Sequence, residues 1–115
     1  MVIVNLTLAI ICFGGQCYNA LVGSDTPIGE FQMNQRITSQ PGYGGDVLQF
    51  KETPSAWVGI HRVWTLKPKE QRMKRLHSSN VADRQTVTKG CVNVDPIVYE
   101  QLRDCCSTDT LIITR

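Results

Sequence analysis

A glycine pair set between two apolar runs constrains this chain more than any other feature. Val2, Val4, Leu6, Leu8, Ile10 and Cys12 recur at period two, the spacing of a half-buried strand. Gly14-Gly15 then supplies the positive φ angles that a two-residue hairpin turn needs. Val2–Phe13 and Gln16–Gly23 therefore read as two strands of one hairpin. In that register Phe13 faces Gln16 and Cys12 faces Cys17.

The pattern continues in the same vein. "SDTPIGEF" is a turn, and "FQMNQRIT" is a third strand. "SQPGYGGD", residues 39–46, reads as a flexible, exposed loop. "VLQFK" is a short strand ended by Pro54, and "AWVGIHRVW" is rich in β-branched and aromatic residues, as a central strand is. Pro68 to Ser78 is built of good helix formers, with Met73 and Leu76 set to face inward. The chain returns to a strand at Thr86. Asp95 is placed as an N-cap and Pro96 as the first helical residue. Ile97, Leu102 and one of Val98 or Tyr99 give that helix an apolar face through Arg103, and "TLIITR" closes as a strand. With 115 residues, no repeat and no linker, the expectation is one mostly β domain with one or two short helices.

The chain is 42% hydrophobic and 19% charged, which suits a packed core and excludes disorder. A net charge of +2 is too small to imply a nucleic-acid partner. Lys67, Lys69, Arg72, Lys74 and Arg75 cluster, which on a helix reads as a solvated face; a site for an anionic group or a membrane surface is the alternative. No stretch is long enough to span a bilayer. The apolar start has no basic n-region and is interrupted by Asn5 and Thr7, so it reads as a strand and not a signal peptide. A cytoplasmic protein is expected on that reading, and a periplasmic or cell-envelope one if residues precede Met1.

Chemistry is carried by few residues. Zinc needs ligands at short paired spacings, and none is present; "PGYGGD" lacks the ending of a phosphate loop, so no metal or cofactor is expected. Cys12 and Cys17 can bridge across their hairpin, but without an export signal two reduced cysteines packing on one face is the favoured reading. Cys105-Cys106 is read as helix-end packing in preference to a vicinal bridge. His77 lies on a polar helix end and is expected to be exposed. Cys91 is open to three readings: a small buried hydrophobe, half of a disulfide, or a nucleophile. For the last, His61 on the preceding strand would be the base, and the helix starting near Asp95 would direct its dipole at the thiolate. Gly90 would clear space beside the sulfur, and the amides of the Gly90–Cys91 turn would hold an oxyanion.

"TVTKGCVNV" resembles the active-site motif of the YkuD-type L,D-transpeptidase family, with Thr88, Lys89, Gly90, Cys91, Val92 and Asn93 matching position by position. "VGIHRVW" is similar to the family's histidine strand, and "DTPIGEF" to its TPxGxF segment. The three occur in the family's order and span nearly the whole chain. The resemblance implies an L,D-transpeptidase-like β-sandwich of mixed sheets in which Cys91 attacks a peptidoglycan tetrapeptide stem and His61 moves the proton. Thr88, Lys89, Gly90 and Asn93 would shape the nucleophile loop and its oxyanion contacts. A second stem peptide resolves the thioester in a transpeptidase, and water in an L,D-carboxypeptidase. Carbapenem-type inhibitors are implied as ligands. Arg62 follows His61 where many members carry Gly or Ser. Arg75, Leu76, Ser78, Asp83 and Arg84 fit one branch of the family, which makes Arg84 a candidate for a substrate carboxylate beside the alternative of a structural salt bridge. Arg62 is a second substrate-binding candidate. An idle domain that binds wall peptides or a protein partner is the reading from another class.

Overall fold

The first strand stops at Asn5. In the computed structural model, which describes residues 1–115, β1 is Val2–Asn5 and β2 is Ile10–Phe13, paired antiparallel with Val4 opposite Ile11. The Asn5 side chain accepts a hydrogen bond from the Leu8 amide at 2.9 Å, and Ala9 sits at φ 49°, so the chain reverses between them. The single strand expected over Val2–Phe13 is thus two. The buried set changes phase at the turn, from Val2 and Val4 to Ala9, Ile11 and Phe13. The sequence hides this because Leu6 and Leu8, at the turn, continue the even-numbered apolar rhythm.

The glycine hairpin forms as expected. β3, Gln16–Asn19, pairs with β2 so that Cys12 faces Cys17 and Phe13 faces Gln16. β9, Thr110–Thr114, lies parallel to β1 and antiparallel to β4, Gly29–Gln32. The resulting five-stranded sheet runs β3-β2-β1-β9-β4. A second sheet runs β5-β6-β7-β8 and comprises Asn34–Ile37, Asp46–Thr53, Ala56–Arg62 and Val92–Val94. The strand expected over "FQMNQRIT" therefore divides between the sheets, with fully buried Met33 at the crossing. Nothing in the sequence there, neither Gly nor Pro, announces the corner.

The core lies between the sheets and beneath a helix. Val4, Ile11 and Ile113 meet Leu48, Ile60 and Val92, and Tyr99 and Leu102 of α2, Pro96–Cys106, join them. This mostly β sandwich of two mixed sheets is the architecture expected. The Asp95 side chain accepts from the Ile97 amide at 2.9 Å and caps α2, with Pro96 in the first turn. The inward face is Tyr99 and Leu102; Ile97 is exposed. The helical stretch expected over Pro68–Ser78 is a 3-10 turn, Pro68–Glu70, followed by α1, Arg72–Leu76, and left-handed Gln71 breaks it in two; a further 3-10 turn spans Val81–Asp83. Leu76 is buried as expected, but Met73 is exposed. No helix is long and apolar enough to cross a membrane.

The cysteines correct a second expectation. Cys12 and Cys17 are bonded across their strand pair, and Cys105 and Cys106 are bonded at the end of α2. The hairpin register brings the first pair together, with its Cα atoms 4.0 Å apart. Cys91 alone is a free thiol.

Candidate active site

The site begins with register. β7 and β8 are parallel neighbours, with Ile60 beside Val92 and His61 beside Asn93. Cys91 therefore stands at the mouth of β8, one residue before the strand, next to the β7 strand that carries His61. Both line a cleft of about 460 Å³ together with Tyr43, Trp64, Arg72 and Lys89. No group of three or more metal-ligating side chains comes together in the chain.

The loop before β8 is held by the "DTPIGEF" segment. Thr26 is buried; its hydroxyl donates to the Gly90 carbonyl at 2.9 Å and accepts from the Gly23 amide at 3.0 Å. The Asp25 amide donates to the Lys89 carbonyl at 3.1 Å. The Thr88 hydroxyl donates to the Cys91 carbonyl at 2.6 Å. All three carbonyls of Lys89, Gly90 and Cys91 thus turn into the protein. Their amides donate to no other group of the chain, which leaves three free N–H groups in the loop that carries Cys91. The strand expected from Thr86 is confined to Val92–Val94, because Thr86 is left-handed at φ 49° and turns the chain into this loop.

Gly90 is not the crowded glycine. A Cβ there would meet the Asp25 carbonyl oxygen at 3.5 Å and Val58 at 3.7 Å, ordinary contacts. Gly23 is the crowded one: a Cβ would lie 2.1 Å from the Thr88 carbonyl oxygen. Within the chain, the close approach lies between the Gly23 backbone and the nucleophile loop.

His61 is almost fully buried. Its Nδ1 lies 2.6 Å from the Arg62 carbonyl oxygen, which can only accept, so Nδ1 carries the proton. Its Nε2, left with a lone pair, faces Asn93 Nδ2 at 3.3 Å. Burial pushes the imidazole pKa down to about 4; the Arg62 carbonyl opposes this and the charge of Arg72 adds to it. Burial likewise raises the Cys91 thiol, against the Gly59 amide and Arg72, which favour the thiolate. At neutral pH the pair rests as neutral thiol and neutral imidazole. The expected help from the α2 dipole does not reach the sulfur. β8 lies between them, and at about 3.3 Å per residue the Asp95 cap is roughly 13 Å along the chain from Cys91.

The two arginine candidates stand elsewhere. Arg62 pairs with Asp46 at 2.8 Å and lies over the Tyr99 ring, 4.4 Å from its centroid. Arg84 is buried and donates to three backbone carbonyls, those of Leu8, Ala9 and Ser78. Neither lines the cleft, and the salt bridge offered as Arg84's alternative role is replaced by these carbonyls. His77 is exposed and also outside the cleft, 3.7 Å from Asp95.

Sequence reasoning missed Arg72, Tyr43 and Trp64. Arg72 looked like one of five solvated basic residues, yet its side chain is only 13% exposed. It pairs with Glu70 at 3.1 Å, donates to Asn93 Oδ1 at 3.1 Å and lies over the Trp64 ring. The "SQPGYGGD" loop is mostly exposed, as expected, but Gly42 and Tyr43 within it pack against the site. Tyr43 is half-buried with its ring edge-on to His61 at 4.7 Å, and a Cβ on Gly42 would strike the Trp64 indole at 1.9 Å. Gly42 and Gly44 in that loop allow close approach to Trp64 and Arg62.

No family model matches the sequence, and no curated protein matches it. Solved structures do. The chain is similar to the Ldtfm–avibactam carbamoyl enzyme, with a TM-score of 0.68, 17% identity, and coverage of 97% of this chain and 47% of that one. It is similar to an L,D-transpeptidase of Xylanimonas cellulosilytica, at 0.57 and 18% identity, over 97% of this chain and 58% of that one. The LD transpeptidase LdtMt1 in complex with imipenem matches at 0.59 and 15%, over 97% and 57%. The fold is that of the L,D-transpeptidases. The chain spans about half the length of these structures.

Proposed function

We propose that this chain is a cysteine-dependent L,D-transpeptidase domain that acts on peptidoglycan tetrapeptide stems through a thioester acyl-enzyme. One observation carries the reading: the single free thiol and the buried histidine, from separate sequence motifs, line one cleft, and Thr26, from a third, holds the loop that presents the thiol. A catalytic site needs that convergence, and a binding surface does not.

In the proposed reaction Cys91 attacks the carbonyl that joins the third stem residue to the terminal D-amino acid. The thiol proton passes to His61 Nε2, the basic nitrogen of the resting tautomer, as the Asn93 amide yields its hold. The free amides of Lys89, Gly90 and Cys91 suit the oxyanion of the tetrahedral intermediate. The proton on His61 leaves with the departing D-amino acid, and the acyl group stays on sulfur. An amine from a second stem then attacks the thioester, releases the thiol and closes a new peptide bond. Such substrates lie outside the cytoplasm, and paired Cys12–Cys17 and Cys105–Cys106 are at home in an oxidising compartment. A cell-envelope location is therefore part of the proposal.

Incubation with disaccharide tetrapeptide and chromatography of the products tests this. Cross-linked dimers with released D-amino acid are the expected outcome. Release without dimers would make the enzyme an L,D-carboxypeptidase. No release at all, by folded protein, would contradict an enzymatic role and favour an idle peptide-binding domain.

A further inference from the structure

Asn93 can face His61 in only one way. Its Oδ1 accepts from two donors, Arg72 Nη1 at 3.1 Å and the Trp64 amide at 3.2 Å. An oxygen held by two N–H groups fixes the amide orientation, so the Nδ2 end is turned to His61 Nε2. That donor in turn keeps Nε2 free of a proton, in agreement with the Nδ1–H bond to the Arg62 carbonyl. A chain of hydrogen bonds therefore runs from Arg72 through Asn93 to the base.

We infer that Arg72 is a positioning residue for the Cys91–His61 pair. It acts through Asn93 on the imidazole and through its own charge on the sulfur. The chain spends structure on placing it. Gln71, immediately before it, is left-handed at φ 49°, a conformation costly for a residue with a side chain. Glu70 and the Trp64 ring hold the guanidinium on either side, and both line the same cleft as the thiol. The titratable and charged groups facing the cleft are Tyr43, His61, Lys67, Glu70, Arg72 and Lys89. Of the cleft's formal cations, Arg72 alone acts on both reacting groups, favouring the thiolate of Cys91 and the neutral form of His61.

The inference rests on the proposed roles of Cys91 and His61, and its test needs no turnover, so the two can fail separately. The measurement is the pH dependence of Cys91 alkylation by iodoacetamide, read by intact mass, in the wild type and in R72M, R72Q and R72K. Loss of a nearby opposite charge moves a thiol midpoint up by about one pH unit. R72M and R72Q are expected to show that shift, whereas R72K, which keeps the charge, stays near the wild type. ¹⁵N spectra of His61 should show one Nδ1–H tautomer in the wild type and in R72Q, which retains a donor for Asn93. R72M, which leaves Asn93 Oδ1 only the Trp64 amide, should shift the Nε2 resonance while the Arg62 carbonyl keeps the proton on Nδ1. A merely structural arginine would lower the melting temperature and leave both readouts alone. A folded R72Q or R72M with the wild-type alkylation midpoint overturns the inference, and so does a mixed tautomer already present in the wild type. If R72M fails to fold, R72Q against R72K carries the same decision.

Discussion

His61 and Arg62 are consecutive on β7 and point to opposite faces of the sheet, as neighbours on a strand must. Arg62 enters a network in which every charge is answered. Asp46 accepts from Arg62, from Gln35 at 2.9 Å and from the Tyr99 hydroxyl at 3.0 Å, with Arg103 3.6 Å away. Burial alone would raise the Asp46 carboxyl, but these hydrogen bonds outweigh it and hold it below its ordinary range. The face of His61 is the reverse. Its imidazole and the neighbouring thiol are both pushed away from their charged forms, and three backbone amides of the loop that carries the thiol go unanswered. Left-handed Gln71 and Thr86 stand at its borders. One face spends its polar groups on holding the chain together. The other leaves them unspent, as a site must if a substrate is to complete it.

The contrast can be broken from either side. Cys91→Ser should lose acylation altogether and melt within about 0.5 kcal/mol of the wild type, as a small change at a partly exposed position does. Asp46→Ala should do the opposite. It strands Arg62 and is expected to cost about 3–5 kcal/mol in denaturant unfolding, while the folded fraction keeps its alkylation chemistry.

Acid should also separate the faces. His61 titrates near pH 4 when folded and near 6.5 when unfolded. Below pH 6.5 the unfolded chain binds the extra proton, so stability falls as pH drops from 6.5 to 4. The loss amounts to about 3 kcal/mol, all of it present above pH 6.5. His61→Gln should flatten that slope between pH 6.5 and 4; an unchanged slope would mean that the imidazole is not buried in its neutral form.

The glycines give the finest comparison. Gly23→Ala is expected to cost about 3 kcal/mol or more, because its methyl meets backbone. Gly90→Ala, one position from the thiol, should cost no more than about 1 kcal/mol. Equal losses in the two variants would mean that the loop does not rest on Gly23.

Much of this was legible in the sequence, and the losses have physical causes. The Gly14-Gly15 hairpin, the Asp95-Pro96 helix start and the β7 strand follow local rules, and local rules held there. The turn at Asn5 and the corner at Met33 failed because each keeps the apolar rhythm of a continuous strand. At the site, Cys91 and His61 stood out through their chemistry and their neighbours. Arg72 did not, because a basic residue in a basic run gives no sign of which one turns inward. Only the packing of Trp64 and Glu70 decides that. Arg84 erred in the other direction: its fit to one branch of the resembled family suggested a substrate carboxylate, and its donors went to the carbonyls of the first turn.

The central claim is that Cys91 is a nucleophile aimed into a catalytic cleft. Intact-mass spectrometry of the protein after incubation with imipenem, the ligand of one structure of this fold, tests it most directly. The account predicts a single adduct, located on Cys91 by peptide mapping and absent from Cys91→Ser. Folded wild-type protein that stays unmodified, or an adduct that survives Cys91→Ser, would contradict it.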